Sequence, residues 1–321
     1  MSETTVALST FAKDIHLGLT SNPKCLSSKY FYDETGDQLF QTIMGLGEYY
    51  LTRCEFEIFD KQKEEILKSF LGSDSSFNLV ELGAGDGTKT KVLLKHFVNE
   101  GVDFSYSPID ISQHVLEVLS SDLEKSIPKL KVNAIQGDYF DALAKLNENN
   151  FQKEVVLFLG SNIGNFSNGS ALKFLKRLGD NLGSGDMLFI GFDLMKNPNV
   201  ILNAYNDKLG VTKEFNINLL RRINNELGAN FDLEGYEHFP TYDPISGETK
   251  SHLVSNKEQE VFIEATGETY SFDAWEAIHT EVSQKYSPKM IYQFAEQAGF
   301  KVVKNFKDES EFYVDSLWEK V

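Results

Sequence analysis

A glycine-rich loop at residues 81–88 is the first segment whose spacing could do chemistry. It reads ELGAGDGT, and Gly83, Gly85 and Gly87 let the backbone turn tightly and approach a ligand closely. The helix predicted to follow offers unpaired N–H groups to an anion. A dinucleotide fingerprint has its third glycine three residues after the second, whereas position 88 is Thr. The spacing therefore disfavours a nicotinamide dinucleotide, and an ordinary turn stays an alternative.

Two acidic residues follow the next two predicted strands. Asp110 ends one strand, where a carboxylate can accept both hydroxyls of a ribose. Asp138 ends the next, where it can accept from an adenine amino group with Tyr139 beside the ring. Asp110 could instead cap a helix, although Ser112 could fill that role. Asp138 could instead be a turn residue beside a core aromatic. Three such features at three successive strand ends predict a nucleoside site.

The elements that would position these residues alternate along the middle of the chain. Apolar runs that predict strands lie at 77–83, 104–110, 131–138, 154–160 and 186–193, and helical stretches lie at 88–98, 112–125, 139–147 and 169–182. This alternation predicts an α/β fold with a doubly wound, Rossmann-like parallel sheet and helices on both faces. Right-handed crossovers bring the carboxyl ends of the strands to one edge, where ligands of such sheets bind.

The flanking segments predict a second, smaller α+β domain. Residues 8–70 are predicted to be mostly helical, with Thr52 as a helix cap and Glu55 as its capping-box partner. After residue 193 the pattern predicts one helix over 199–227 and strands around 235–266. A helix and two strands then complete the chain. The predicted domains, listed by residue, are a sheet domain at 60–193 plus 287–321 and a second domain at 1–59 plus 194–286.

Composition narrows the class of protein. The formal net charge of −17 lacks the basic excess that phosphate neutralisation needs, so nucleic-acid binding is not expected. The two cysteines, Cys25 and Cys54, form no CxxC, and the histidines show no metal-ligand spacing, so neither a disulfide framework nor a metal is expected. The first residues do not form a secretory signal, and no apolar run reaches the roughly 18 residues of a membrane span. These features predict a cytoplasmic protein without membrane contact or an obligate protein partner.

The loop at 81–88 resembles the E/DxGxGxG loop of class I methyltransferases, and the chain as a whole resembles one family of them. That family is the histidine-specific Nα-methyltransferases of ergothioneine biosynthesis. The motifs that carry the resemblance are LSSKYFYD at 26–33, EYYLTR at 48–53, FLGSNIGN at 158–165, AYND at 204–207 and TEVS at 280–283. The resemblance implies S-adenosylmethionine as cofactor and a small amino acid as substrate, which is trimethylated on its α-amine to hercynine in this family.

The resemblance also implies roles for single residues. For the substrate, the resemblance implies that the carboxylate binds Tyr49, Asn165 and Tyr205. It implies that the α-amine contacts Asn165 and the Gly160 backbone and lies near Tyr32. It also implies that the ring contacts Glu281 and Ser283. The residues implied for the cofactor are Gly83, Gly85, Lys89, Asp110, Asp138 and Tyr139. Tyr32 and Asn165 are the predicted catalytic residues. Taken singly, each tyrosine could equally be structural, and Lys89 could be an ordinary surface lysine.

One position departs from the family pattern. Ser251 stands in the segment where the family often carries a methionine in the histidine pocket. A smaller polar residue could enlarge the pocket, so an N-methyltransferase for another amino acid or a tryptophan-like aromatic amine is the nearest alternative. Retention of Glu281 and Ser283 favours an imidazole, because an indole has less use for a carboxylate. A nicotinamide-dependent oxidoreductase and a non-catalytic cofactor-binding protein are alternatives from other classes.

Overall fold

Ten helices and thirteen strands are found in the part of the chain that the computed structural model describes, residues 8–147 and 152–321. The helices are α1 (Thr10–Thr20), α2 (Glu34–Met44), α3 (Leu51–Leu71), α4 (Thr90–Asn99), α5 (Gln113–Ser126), α6 (Tyr139–Asn147), α7 (Asn168–Asp180), α8 (Pro198–Ala204), α9 (Val211–Leu227) and α10 (Pro288–Gln297). The strands are β1 (Ser76–Leu82), β2 (Asp103–Asp110), β3 (Lys131–Val132), β4 (Ile135–Gln136), β5 (Glu154–Phe158), β6 (Met187–Asp193), β7 (Tyr236–Tyr242), β8 (Glu248–Ser255), β9 (Gln259–Ile263), β10 (Glu268–Phe272), β11 (Ala277–Gln284), β12 (Phe300–Lys307) and β13 (Tyr313–Lys320).

The chain divides into two units, each made of two segments. One unit takes in the described residues up to Tyr50 together with Lys196–Ser283. The other, called here the sheet unit, takes in the described residues from Leu51 to Met195 together with Gln284–Val321. The first is called here the insert unit, because most of it lies between β6 and α10 in sequence. The whole of α3 belongs to the sheet unit.

The sheet unit is built on one large sheet whose strand order is β12-β13-β6-β5-β1-β2-β3, with β4 also paired to β2. Neighbouring strands pair in parallel along the order β6-β5-β1-β2, and both β3 and β4 pair in parallel with β2. Strand β13 runs antiparallel to both β6 and β12. The order reverses beside β1, which lies between β2 and β5. The doubly wound α/β sheet predicted from the sequence is therefore confirmed, and its ligand-binding edge is the carboxyl edge around β1.

Apolar side chains cover both faces of this sheet, as a mostly parallel sheet requires. On one face, Phe70 of α3 and Phe97 of α4 lie edge-on to Phe77 of β1, with ring centroids 6.0 Å apart in each pair. On the other face, α7 and α10 pack a cluster that includes Phe174 and Ile291. Strand β1 is buried at every position from Phe77 to Leu82, and its residues there are apolar except for Asn78 and Glu81.

The insert unit has its own core and two small sheets. One sheet has the order β11-β8-β7, and the other is the β9-β10 hairpin. Buried residues of α1, α9 and these strands form its core, including Ile15, Leu220 and Ile278. The segment before the short 3-10 helix Ser28–Tyr30 runs beside β11, where the Leu26 N–H donates to the His279 carbonyl at 2.8 Å. This pairing fixes the start of the motif at 26–33 within the unit.

Three local predictions are wrong. Thr52 does not cap a helix, because α3 begins at Leu51 and Thr52 lies inside it. The single helix predicted over 199–227 is two helices, α8 and α9, separated by a turn that ends at Gly210 with φ of 75°. The strand predicted over 131–138 is reduced to the two-residue strands β3 and β4.

No helix among the described residues is both long and apolar enough to cross a bilayer. The predicted absence of a secretory signal rests partly on residues 1–7, which lie outside the described part of the chain.

Candidate active site

The glycine-rich loop leaves β1 in a backbone conformation that side chains disfavour. Gly83, Gly85 and Gly87 have φ of 71°, 54° and 61°. A Cβ at Gly83 would lie 2.7 Å from the Tyr139 hydroxyl, and the Gly83 N–H donates to the Ile109 carbonyl at 2.9 Å. Glycine is therefore needed at position 83 both for its dihedral angles and for the approach of Tyr139.

Asp110 and Asp138 lie at the ends of neighbouring strands on the same edge. The Asp110 carboxylate accepts from the Ser112 N–H at 2.9 Å, and Ser112 itself caps α5 by accepting from the Val115 N–H. Ser112 thus fills the capping role that was the alternative for Asp110. The Asp138 carboxylate accepts from the Phe140 N–H at 2.9 Å and is exposed. Each carboxylate keeps further lone pairs with which to accept hydroxyl or amino groups.

Tyr139 lies close to both carboxylates. Burial of its phenol raises the pKa of Tyr139 to about 12, and the charges of Asp110 and Asp138 contribute to the rise. The ring packs edge-on to Phe158 with centroids 6.3 Å apart. The structure therefore brings together Gly83, Asp110, Asp138 and Tyr139.

Glu81, the residue before the loop, is held inside the protein. Its carboxylate accepts from the Tyr106 hydroxyl at 2.5 Å and from the Thr90 hydroxyl at 2.7 Å. Burial raises the pKa of Glu81 to about 7, although both hydroxyl bonds act in the opposite direction. Glu81 connects β1 to β2 and to the start of α4, and so fixes the frame of the loop.

Lys89 and Gly160 meet at a residue that was predicted only as a capping partner. The Glu55 carboxylate of α3 is fully buried, contacts the Lys89 ammonium, and accepts from the Gly160 N–H at 2.7 Å. Burial acts to lower the pKa of Lys89, but the neighbouring Glu55 carboxylate outweighs it and raises that pKa. Because the Gly160 N–H already donates to Glu55, an amine at this position would have to donate to the Gly160 carbonyl.

The loop at 160–165 is fixed at its start by a left-handed residue. Ser161 has φ of 56° and is buried, and its hydroxyl accepts from the Asp193 N–H at 3.1 Å. The Asp193 carboxylate in turn pairs with the Lys285 ammonium at 2.8 Å, and both side chains are fully buried. A left-handed serine is held here by bonds that only this backbone conformation can make.

The same loop is fixed further along by close backbone packing. The Tyr286 hydroxyl donates to the Ile163 carbonyl at 3.0 Å. A Cβ at Gly164 would lie 2.9 Å from the Gln284 carbonyl oxygen, so the loop approaches β11 more closely than any side chain allows. Asn165 follows directly, and its side chain is exposed at the end of the 3-10 turn.

In the insert unit, two pairs of side chains meet on neighbouring elements. The buried Tyr205 hydroxyl, just after α8, donates to the Ser283 hydroxyl of β11 at 2.7 Å. The Ser251 hydroxyl of β8 lies 3.5 Å from the Glu281 carboxylate of β11, at the outer limit of a hydrogen bond. Glu281 and Ser283 are two apart on one strand and so share a face.

Tyr32 belongs to the same cluster. It is 44% exposed, and its ring lies edge-on to Phe40 and Phe215 at centroid distances of 5.6 and 5.7 Å. Enclosure of the phenol raises the pKa of Tyr32 above its ordinary value, and the charges of Glu281 and Asp37 raise it further. Tyr32 therefore keeps its hydroxyl proton at neutral pH.

Tyr49 stands at the end of the same segment of the insert unit. Its ring lies edge-on to Phe40 at 6.3 Å, and its N–H donates to the Leu46 carbonyl at 3.2 Å. Phe40 thus contacts both Tyr32 and Tyr49, so one side chain of α2 supports two predicted substrate residues.

The predicted residues therefore form one cluster within each unit. The sheet unit groups the predicted cofactor residues with Gly160 and Asn165 on its strand-end loops, and the insert unit groups Tyr32, Tyr205, Glu281 and Ser283. Sequence reasoning missed Glu55 as a site residue. Its position three residues after Thr52 imitates a capping box, and its partners lie far away in sequence.

The residues at the carboxyl edge fit S-adenosylmethionine. Two carboxylates on neighbouring strands can accept ribose hydroxyls and an adenine amino group, and Tyr139 supplies a ring beside them. The Lys89 ammonium has three donors and uses one on Glu55, which leaves donors for the carboxylate of an amino acid. No atom lies within 4 Å of where a Cβ would stand at Gly85, which leaves open space beside the loop for a ligand.

Comparison with known proteins agrees with this geometry. A family model described as histidine-specific, SAM-dependent methyltransferase matches residues 11–320. The chain is 35% identical over 289 residues to the histidine N-alpha-methyltransferase of Mycolicibacterium smegmatis, covering 90% of this chain and 88% of that protein. It is 33% identical over 298 residues to the protein of the same name from Mycobacterium tuberculosis, covering 93% and 91%.

A further relative is longer than this chain. Ergothioneine biosynthesis protein 1 of Schizosaccharomyces pombe is 31% identical over 290 residues, which cover 88% of this chain and 37% of that protein. The family match spans both units. It therefore includes the loops at the carboxyl edge of the large sheet and the group of Tyr32, Tyr205, Glu281 and Ser283 in the insert unit, called here the Glu281 cluster. With its class I methyltransferase sheet and its use of S-adenosylmethionine on a small-molecule substrate, the chain belongs to the histidine-specific, SAM-dependent methyltransferase family.

Proposed function

We propose that this protein transfers methyl groups from S-adenosylmethionine to the α-amine of free L-histidine, three times in succession, with hercynine as the final product. The observation that carries the proposal is the Glu281 cluster of the insert unit. There a carboxylate and the Ser283 hydroxyl share one face of β11, with the Ser251 hydroxyl 3.5 Å from the carboxylate. This set of one anion and nearby hydroxyls matches the polar edge of an imidazole.

The hydrogen-bond inventory supports an imidazole over an indole. A neutral imidazole carries one N–H donor and one nitrogen acceptor. An ionised Glu281 can only accept, so it takes the N–H. The Ser283 hydroxyl carries its own proton, which it can donate to the other ring nitrogen whether or not its oxygen accepts from Tyr205. An indole has a single N–H and would leave the Ser283 proton without a ring partner.

The substrate carboxylate is proposed to bind Tyr49, Tyr205 and Asn165. Tyr205 has one hydroxyl proton, which it donates to Ser283 at 2.7 Å. A carboxylate can only accept, so Tyr205 must turn its proton from Ser283 to the substrate when it binds. After this exchange the Tyr205 hydroxyl binds the substrate carboxylate and the Ser283 hydroxyl binds the ring. We therefore expect the exchange to help position the substrate.

The α-amine is proposed to lie against Asn165, the Gly160 carbonyl and Tyr32. Bound S-adenosylmethionine supplies a methyl group on a positively charged sulfur. The amine must be neutral to attack that methyl, and a neighbouring positive charge favours its neutral form. As the N–C bond forms the C–S bond would break, S-adenosylhomocysteine would leave, and the methylated amine would lose a proton to solvent before the next transfer. Tyr32 keeps its own proton at neutral pH, so it acts as a hydrogen-bond acceptor through its oxygen and not as the base. Positioning of the two reactants can supply roughly 7–11 kcal/mol of the barrier.

For the cofactor we propose that Asp110 holds the ribose, Asp138 and Tyr139 the adenine, and Lys89 the carboxylate, with the backbone of Gly83 and Gly85 along the loop. Their convergence on one strand edge supports these roles. The sheet unit is accordingly the cofactor-binding domain and the insert unit the substrate-binding domain. We further propose that the enzyme works in the cytoplasm without nucleic acid, a membrane or an obligate protein partner.

The proposal is tested by mass spectrometry of the purified protein incubated with S-adenosylmethionine and L-histidine over time. We expect one, two and then three methyl groups on histidine, and their loss in Asn165→Ala. A matched control is Asn199→Ala, an exposed asparagine in the first turn of α8. S-adenosylhomocysteine formed only with another amino acid would retire histidine and keep the methyltransferase.

A second candidate substrate is another aromatic amino acid, and Ser251 is the reason to test it. Ser251 is 1% exposed, and its hydroxyl lies beside Glu281 where the family often has methionine. Competition between histidine and tryptophan for a limiting amount of cofactor decides between the two. A preference for tryptophan would replace histidine as the proposed substrate.

A further inference from the structure

Glu55 is a buried carboxylate of the sheet unit to which no role has been given so far. It projects from α3 and is 0% exposed. One oxygen accepts from the Gly160 N–H at 2.7 Å and from the Tyr313 hydroxyl at 2.8 Å. The other contacts the Lys89 ammonium. Two neutral donors from two different elements thus hold the carboxylate, while its second oxygen holds a cation.

The surrounding backbone is shaped to admit this carboxylate. A Cβ at Gly191 of β6 would lie 2.8 Å from the nearer Glu55 oxygen, so any larger residue there would displace it. The same Cβ would also meet the Tyr313 hydroxyl, so glycine at this position makes room for both groups. Burying an ion costs several kcal/mol unless it is paired and hydrogen-bonded, and here both conditions are met.

The charges around Lys89 come from three elements. Glu55 faces it from α3, Glu81 from β1 and Asp315 from β13. Burial and the nearby Glu55 charge raise the pKa of Asp315 well above its usual range, which disfavours the charged form of Asp315. Burial likewise raises the pKa of Glu81. Glu55 is therefore the principal counter-ion of Lys89.

The Lys89 side chain is not closed off by this pair. It is 23% exposed, whereas Glu55 is 1% exposed at its side chain. An ammonium has three donors, and the contact with Glu55 uses one. The contact with Glu55 therefore leaves two N–H donors of this partly exposed side chain for a further acceptor.

We propose that Glu55 is a positioning residue for the cofactor, which holds the Lys89 ammonium charged and in place to bind the carboxylate of S-adenosylmethionine. This inference rests on the cofactor role proposed for Lys89. It assigns to α3, which carries none of the predicted site residues, a direct part in cofactor affinity. Glu55 acts through Lys89 and touches no reacting atom.

The test is Glu55→Gln, which keeps an oxygen for the Gly160 N–H and removes the charge beside Lys89. Without that charge, burial lowers the pKa of Lys89, so the lysine loses its proton as the pH rises. Both the variant and its reference carry Asp315→Asn, so that Asp315 cannot ionise and replace the lost charge. The dissociation constant of S-adenosylhomocysteine is measured by calorimetry, which needs no turnover.

We expect the ratio of the variant's dissociation constant to that of the reference to rise at least about tenfold between about pH 6.5 and about pH 8.5. A structural role for Glu55 alone would give a ratio that does not change with pH, and that result would overturn the proposal. The titration of the ligand's own amine cancels in the ratio. Glu57→Gln, which removes a half-buried carboxylate that pairs with Lys61 on the same helix, is the matched control and should leave the ratio at one.

A second comparison keeps the inference testable if Glu55→Gln unfolds. Lys89→Gln removes the cation that would be left unpaired, so Glu55→Gln is added to that background. If Glu55 acts through Lys89, the second change leaves cofactor affinity as it is in Lys89→Gln. A further loss of more than about threefold would overturn the proposal. Should cofactor binding behave as expected while histidine is not methylated, only the proposed substrate would fail.

Discussion

Glu281 is the residue on which, in the proposed function, substrate choice depends most directly. Replacing it with Gln removes a charge-assisted hydrogen bond worth about 1.5–3 kcal/mol, so we expect KM for histidine to rise about 10–150-fold. KM for S-adenosylmethionine should change little, because the cofactor residues lie elsewhere. Steady-state kinetics with each substrate varied in turn measures the split.

A control for this change is available on the neighbouring strand. Glu248→Gln removes a half-buried carboxylate of β8 that pairs with Lys250 at 2.7 Å, and it should leave both constants unchanged. An equal rise of both constants in Glu281→Gln would count against a ring-binding role.

Glu81 gives the molecule a pH dependence of stability. Its pKa is about 7 in the folded protein against 4.5 for the free side chain, because burial disfavours the charge. The folded state therefore holds the proton more tightly than the unfolded chain. The free energy of unfolding falls as the pH rises from about 4.5 to about 7, by about 3 kcal/mol at most, and stays lower above that.

We expect Glu81→Gln to remove this loss. The free energy of unfolding of the variant minus that of the wild type should be larger at pH 8 than at pH 5. A packing cost of the substitution would be the same at the two pH values and would not affect this change. Urea unfolding at the two pH values measures it. A difference that is the same at both would show that Glu81 is ionised throughout.

At the scale of elements, the loop at 160–165 depends on its contact with β11. Gly164→Ala places a Cβ 2.9 Å from the Gln284 carbonyl oxygen, so the loop must shift and carry Asn165 with it. We expect methyl transfer to fall at least about tenfold, since a displacement of about 1 Å at a catalytic group can cost about 100-fold. Product formation with saturating substrates measures the effect.

The matched control is Gly169→Ala in the first turn of α7. No atom lies within 4 Å of the added Cβ there, and the residue is helical. Activity should be unchanged, and stability should rise by up to about 1 kcal/mol, as expected for alanine in a helix. Equal activity in the two variants would remove the proposed importance of the Gly164 contact.

The strands and the strand-end residues could be predicted because their signals are local. The positive φ of Gly83 and Gly85, the run of β1 and the acid at the end of β2 each follow from a few neighbouring residues. Where a signal was ambiguous, local reasoning was wrong. Thr52 and Glu55 have capping-box spacing, yet Glu55 is drawn into the core by partners that come from distant segments.

The role of Glu55 could not be predicted, because its bonds depend on tertiary structure. Gly160 and Tyr313 are far from it in sequence, and nothing in the spacing of α3 marks one buried glutamate among its charged residues. The same limit applies to Ser251. Its contact with Glu281 exists only because β8 pairs beside β11 in the insert unit's sheet.

At the scale of the whole molecule, the excess of negative charge should weaken folding at low salt. The chain has 48 acidic and 31 basic residues, and like charges repel more strongly in the folded state, where they are closer together. The Debye length is about 10 Å at 0.1 M salt and about 3 Å at 1 M salt, so at about 0.3 M it lies between these two distances. Exposed charges that are further apart than the Debye length are largely screened. We therefore expect the midpoint of urea unfolding to rise when sodium chloride is increased from about 0.02 M to about 0.3 M. A midpoint that falls would mean that attractive pairs dominate the balance.

The position of β13 in the large sheet has a consequence for how the protein is made. β13 lies between β6 and β12, so β6 has an open edge until Tyr313–Lys320 has been synthesised. The entire second segment of the insert unit leaves the ribosome before that edge is covered. An apolar edge strand exposed for so long is a template for pairing with other nascent chains. We therefore expect the yield of native enzyme to depend on chaperones that shield β6 during translation more than on the stability of the finished fold.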